Sequence, residues 1–243
     1  MHLNLKKIKK HTLKQKKEND KMYIIDEKIT NLINSHYSPL NKDLGDLRDR
    51  CFENNIPIIL KETESFLNFL LRLMKPKNIL EIGTAWGYSA SYFATLINDS
   101  FVHTIEIDPN MVGISKENFE KLGLEDKVKV FQGDASSVLD VLRYPGCDNS
   151  DHYHYDMVFI DAAKSKYKEF FDKSLKLCSS GSLIICDNVL LKGSIADNRF
   201  DAKRRHRTNI KRMNEFIEYI YSRSDITTYL LSIGDGLLIS VVD

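Results

Sequence analysis

From residue 78 onward the chain alternates short, continuously apolar runs with stretches of helical spacing, and that alternation limits the fold more than any other feature. Segments 78–82, 101–106, 128–132, 157–160 and 183–186 are dominated by apolar residues and each leads into a polar turn, as strands buried on both faces do. Segments 89–96 and 110–122 carry apolar residues at helical intervals instead. Strand and helix in turn require a parallel sheet wound on both faces. Three helices are expected before the first strand, at 23–37, 42–54 and 62–73, the last stopped at Lys75-Pro76. The end differs: a helix at about 204–222, then strands at 226–231 and 237–242 joined through Gly234-Asp235-Gly236, which predicts an antiparallel hairpin at a sheet edge. The expected fold is α/β, a Rossmann-like doubly wound seven-stranded sheet, mostly parallel, with a C-terminal antiparallel hairpin and helices on both faces.

At 243 residues the chain suits one well-buried domain, expected at 22–243. Its 42% hydrophobic and 28% charged residues are ordinary for a soluble protein, and no apolar run nears the ~20 residues of a membrane span. A cytoplasmic enzyme fits. Residues 1–21 hold eight Lys against Glu18 and Asp20, a balance of +6 in a chain of net +1, so the rest is about −5. This leader is expected to be a disordered basic extension, with Met22 as a candidate natural start. Cys51, Cys147, Cys178 and Cys186 form no C-x-x-C pair, so they suggest reduced, mostly buried thiols rather than zinc or disulfides.

In a doubly wound sheet, ligands bind beyond the carboxyl ends of the strands. The first strand runs into Gly83-Thr84-Ala85-Trp86-Gly87-Tyr88-Ser89, where glycine permits close backbone approach and Ser89 can cap the following helix. A dinucleotide fingerprint would need glycine at Ala85 and Tyr88, which disfavours a dehydrogenase. Glu106 ends the second strand, twenty-three residues after Gly83, where a carboxylate can accept from both hydroxyls of a ribose. Gly133-Asp134-Ala135 ends the third. Singly, each is as well explained as a turn or a helix cap. Their succession at three strand ends points to a nucleoside-bearing cofactor.

These residues, with Ile56-Pro57-Ile58, Phe159-Ile160-Asp161-Ala162-Ala163-Lys164, Asp187-Asn188-Val189-Leu190, Lys192-Gly193, the Arg204-Arg205 region and Gly234-Asp235-Gly236-Leu237, resemble the metal-dependent catechol and caffeoyl-coenzyme A O-methyltransferases. Within that family the chain is most similar to bacterial members that methylate tRNA 5-hydroxyuridine. The likeness spans nearly everything from Met22 to the C-terminus. It implies S-adenosylmethionine as cofactor, held by Ile56, Gly83 and Trp86 with Ser89 near its carboxylate, Glu106 on the ribose, and Asp134 and Ala135 bordering the adenine. Trp86 departs from the small or aliphatic residue expected at its position, so its backbone rather than its side chain would take part.

The resemblance also implies that Asp161, Asp187 and Asn188 bind a metal. Asp161 closes the fourth strand and Asp187-Asn188 the fifth, placing two carboxylates and an amide oxygen at one rim. Three hard oxygen donors suit Mg²⁺ or another divalent cation, although each residue alone would serve as a cap or turn. Lys164 matches the family's catalytic lysine; beside a divalent cation its pKa would fall, allowing it to act as general base. Asp161 is counted with it as catalytic and as a cofactor neighbour.

The acceptor is a separate question. Lys203, Arg204, Arg205 and Arg207, with Lys211 and Arg212, concentrate positive charge at one helix start, as phosphate binding requires. A 5-hydroxyuridine could chelate a metal much as a catechol does. The expected substrate is therefore the wobble uridine of tRNA, converted to 5-methoxyuridine, with small catechol-like phenols as the alternative and a catalytically silent RNA-binding module behind both. The family further suggests a homodimer. His152 and His154 fall in a polar insertion, 145–156, expected to be a loop rather than a metal site.

Overall fold

The computed structural model describes residues 27–142, 154–196 and 207–243. They divide into two compact units at Ser35/His36. Of the first, the described part is helix α1 (Glu27–Ser35); the second carries the sheet. The basic extension at 1–21, Cys147 and His152 lie outside the described residues, as do Lys203, Arg204 and Arg205.

The sheet-bearing unit runs α2 (Lys42–Glu53), α3 (Lys61–Met74), β1 (Asn78–Ile82), α4 (Tyr88–Leu96), β2 (Phe101–Glu106), α5 (Pro109–Lys121), β3 (Val128–Gln132), α6 (Ala135–Leu142), β4 (Tyr155–Ile160), a 3₁₀ turn (Lys164–Lys166), α7 (Tyr167–Leu175), β5 (Cys178–Asp187), α8 (Arg207–Tyr221), β6 (Ile226–Leu231) and β7 (Leu237–Val242). The seven strands lie in the order β3-β2-β1-β4-β5-β7-β6, with β7 antiparallel to both neighbours and the rest parallel. This is the expected architecture.

Alternation along the strands builds two cores. Ile79, Met157, Phe159, Leu183, Ile185 and Leu237 face α2 to α5 on one side. Leu80, Ile82, Val158, Ile160, Ile184 and Cys186 face α6, α7 and α8 on the other. A strand buried on both faces has no polar period, which is why these runs read as continuous apolar sequence.

Several boundaries differ from expectation. β4 begins at Tyr155, so the polar insertion ends sooner, with His154 exposed and 3.2 Å from Ser179 Oγ. β5 extends back to Cys178 through Ser179, Ser180 and Gly181, because its early residues pair at the sheet rim where polar side chains meet solvent. α6 and α7, not expected from the sequence, complete the parallel crossovers. α4 starts at Tyr88 behind a left-handed Gly87, with no side-chain cap. Ser89 is therefore not the cap; its hydroxyl turns to Glu81 instead.

Candidate active site

The strand order reverses between β1 and β4, and there the two strand ends open the crevice that this topology dedicates to ligands. Gly83 leaves β1 with φ +104, and a Cβ on it would lie 2.1 Å from the carbonyl oxygen of Asp161, at the end of β4. Only glycine lets the two walls meet so closely. The loop beyond it is held by its backbone. Ala85 N–H donates to Glu106 Oε2 at 2.9 Å, and Asn118 Nδ2 donates to the Trp86 carbonyl at 2.9 Å. Arg50 in turn donates to Asn118 Oδ1 at 2.9 Å. The Trp86 ring packs against the core on the α2 to α5 side, with Nε1 buried and unpartnered. The half-buried Ile56 packs on the same core and pins its backbone N–H to the Cys51 carbonyl at 2.9 Å.

Glu106 spends its other oxygen on the N–H groups of Ile107 and Asp108, both at 2.9 Å. Its carboxylate is thereby fixed at the end of β2, one strand from the crevice. Asp134 is exposed and caps α6, accepting from Ser137 N–H at 3.2 Å, while Ala135 packs against the α6 to α8 core. The capping role read for a lone strand-end carboxylate is thus what Asp134 performs in its own chain.

Glu81, not among the residues expected from the sequence, has Asp161 and Glu106 as electrostatic neighbours. It is fully buried on β1, between Thr104 and Ser89, whose hydroxyls both donate to it. Burial pushes its carboxyl up to about 8, with Asp161 and Glu106 adding to the rise and the two hydroxyl donors opposing it. A buried carboxyl perturbed this far marks a candidate functional position, and a cation placed beside it would favour its charged form. The signal was present: a lone carboxylate inside an otherwise apolar strand.

The expected trio does come together, around a cation supplied by the chain. Lys164 Nζ donates to Asp161 Oδ1 at 3.1 Å, Asn188 Oδ1 at 3.1 Å, the Asp187 carbonyl at 3.2 Å and Tyr167 Oη at 2.6 Å. Tyr167 Oη in turn donates to the Asp187 carbonyl at 2.8 Å. Asp187 is buried at the end of β5; its Oδ1 accepts from Asn188 N–H at 2.7 Å, and its Oδ2 has no hydrogen-bond partner. Burial, with Asp161 nearby, pushes the Asp187 carboxyl up to about 7. Asn188 takes a left-handed φ of 56 to aim its amide into the cluster. Among the described residues no three His, Cys, Asp or Glu side chains gather at one point, because the third side-chain donor here is an amide. An orphaned buried carboxylate oxygen beside oxygens already arranged about a positive charge fits a divalent cation.

Of the expected basic patch, Arg207, Lys211 and Arg212 are described, all exposed on α8, with Lys211 Nζ 3.7 Å from Glu215. The helix that carries them packs against the 3₁₀ turn of Lys164–Lys166.

Residues 34–241 match the O-methyltransferase family model. A catechol O-methyltransferase from Niastella koreensis is 37% identical over 133 residues, which cover 54% of this chain and 58% of that protein; the match thus spans little more than half of the relative's length. A solved structure from Staphylococcus aureus, provisionally assigned as a caffeoyl-CoA O-methyltransferase, superposes with a TM-score of 0.80 at 34% identity, covering 90% of this chain and all of that one. A Bacillus cereus O-methyltransferase in complex with SAH gives 0.74 at 27% identity, over 88% and 96% of the two chains.

Proposed function

Because the chain belongs to the O-methyltransferase family, we propose that it transfers the methyl group of S-adenosylmethionine to one hydroxyl of a small catechol-like phenol, with a divalent cation, Mg²⁺ above all, at Asp161, Asp187 and Asn188. The observation that carries this reading is the convergence of oxygens from those three residues on Lys164 Nζ, beside the Gly83 loop. The relatives support the cofactor and the acceptor: one neighbour holds SAH, the demethylated cofactor, and another relative is named for catechol. The tRNA 5-hydroxyuridine acceptor expected from the sequence finds no such support, and its residues Lys203, Arg204 and Arg205 lie outside the described structure. The phenol takes its place as the leading reading.

Methyl transfer from a sulfonium is a direct displacement, so the protein must hold oxygen, methyl and sulfur in line; alignment of this kind is worth on the order of 7–11 kcal/mol in favourable cases. The Ile56, Gly83 and Trp86 backbones line the methionine end of the cofactor, where Ser89 and Glu81 meet its carboxylate and ammonium. Glu106 takes the ribose, and Asp134 with Ala135 borders the adenine. When bound, the divalent cation supplies a Lewis acid that lowers the acceptor hydroxyl's pKa and fixes its oxygen. In its neutral amine form Lys164, its Nζ held at Tyr167 Oη, would take the acceptor proton.

The test is methyl transfer from labelled S-adenosylmethionine to catechol, to a caffeoyl thioester and to hypomodified tRNA, with Mg²⁺ and with excess chelator. Label in a phenol that chelation prevents is the expected result. Label in tRNA alone would return the acceptor to RNA, and label in no acceptor would remove the proposed activity.

A further inference from the structure

Between Asn188 and Gly193 four positions take left-handed backbone: Asn188 with φ of 56, Leu191 48, Lys192 54 and Gly193 80. Left-handed non-glycine residues are strained and persist only where their surroundings hold them. What holds this run is the turn between β6 and β7. Register places Leu237 opposite Asp187, which sets Gly234-Asp235-Gly236 directly beyond the end of β5. Val189 N–H donates to the Gly236 carbonyl at 3.1 Å, Leu190 N–H to the Asp235 carbonyl at 2.9 Å, and Lys192 N–H to Asp235 Oδ1. Fit reinforces the bonding. A Cβ on Gly236 would lie 2.2 Å from Leu190 Cγ, and one on Gly234 would lie 2.4 Å from Thr63 Oγ1, so the turn is wedged between α3 and the strained run.

Of these hydrogen bonds, only the one from Lys192 N–H uses a side chain. The Asp235 carboxylate is half-buried, with Asp161 and Lys164 among its electrostatic neighbours, so it stands beside the oxygen cluster without contributing a hydrogen bond to it among the described residues. We propose that Asp235 is a positioning residue for the reaction: by fixing Lys192 N–H it holds the run that aims Asn188 Oδ1 at the cation. This rests on reading Asn188 as a donor of the metal and acceptor site.

The variants are Asp235→Ala, which removes the acceptor, and Asp235→Asn, which keeps an oxygen for Lys192 N–H but drops the charge. Titration calorimetry with Mn²⁺, thermal unfolding and amide hydrogen exchange across 188–193 are measured on each full-length protein. Expected for Asp235→Ala are a loss of at least tenfold in Mn²⁺ affinity and faster exchange confined to 188–193. Asp235→Asn should stay within about threefold of the parent in affinity, with parental exchange. Parental affinity in Asp235→Ala, or equal loss in both variants, overturns the proposal, the latter by showing that the charge acts and not the acceptor. If the parent itself binds no Mn²⁺, the metal reading fails instead, and exchange at 188–193 still decides whether Asp235 holds the run: protection unchanged in Asp235→Ala rejects it.

Discussion

Lys164 Nζ and Asn188 Oδ1 lie 3.1 Å apart, and the same ammonium reaches Asp161 Oδ1 at an equal distance. The base and the cation donors therefore draw on the same oxygens. Lys164→Met removes the side chain that in its neutral form would accept the proton and in its charged form competes with the cation for the same oxygens. Turnover should fall by roughly 10²–10⁴, the usual worth of a positioned base, while Mg²⁺ affinity in calorimetry rises and S-adenosylmethionine binding is kept. Near-parental turnover in this variant would remove Lys164 from the reaction.

Glu81 makes the cofactor-free protein sensitive to pH. Its carboxyl titrates at about 8 in the fold against ~4.3 in an unfolded chain. Between those values the unfolded state has lost the proton and the folded state keeps it, so this group's effect on stability is absent below about pH 4 and grows increasingly unfavourable up to about pH 8. Glu81→Gln should then raise the unfolding temperature at pH 7.5 relative to the parent, by the equivalent of up to a few kcal/mol, and leave it nearly unchanged at pH 4.5. It should also weaken S-adenosylmethionine binding, since the ammonium loses its counter-charge. Equal shifts at both pH values would show that Glu81 is ionised in the fold.

The strand positions β1, β2, β3, β6 and β7 were legible because each is a short apolar run bounded by turns. α6 and α7 were not: Ala135–Leu142 and Tyr167–Leu175 are only eight and nine residues long, and short helices leave too few turns for their period to stand out. At the site, strand-end position alone leaves Asp161, Asp187 and Asn188 as caps or turns; it is the family resemblance that singles them out as a set. Lys164 was expected beside them, but its hydrogen bonds to Asp161 Oδ1, Asn188 Oδ1 and the Asp187 carbonyl were not, since side-chain reach across β4 and β5 is a tertiary fact. Glu81 escaped notice for the opposite reason: its neighbours Leu80 and Ile82 made the strand plain and drew attention away from the one acid in it.

Gly83→Ala tests the crevice itself. The new methyl would meet the Asp161 carbonyl at 2.1 Å in a backbone of φ +104, and overpacking and left-handed strain each cost roughly 1–3 kcal/mol. The relief available is to part β1 from β4, which also moves Asp161. Unfolding temperature and cofactor affinity should drop together, as read by calorimetry and equilibrium dialysis. A variant of parental stability would mean that the two strand ends are not in contact.

Arg48 and Glu64 form an ion pair against Tyr88, which follows the Gly83 loop, with side chains only 12% and 2% exposed. Glu64 also accepts from Tyr37 Oη at 2.7 Å and Tyr88 Oη at 2.8 Å, and Arg48 donates to Tyr88 Oη at 3.0 Å and to the Ile59 carbonyl at 3.1 Å. Tyr88 is the first residue of α4, immediately after Gly87, so the pair anchors the helix that ends the loop. Removing one partner strands a buried charge, at a cost of roughly 3–5 kcal/mol, whereas replacing both with apolar groups is often close to neutral. Arg48→Met should therefore be strongly destabilised in urea unfolding, and Arg48→Met/Glu64→Met should recover most of the loss. The double variant should still bind S-adenosylmethionine more weakly than the parent, because Tyr88 keeps its ring packing but loses both polar tethers. If the double variant loses as much stability as the two single variants summed, the two side chains do not act as a pair.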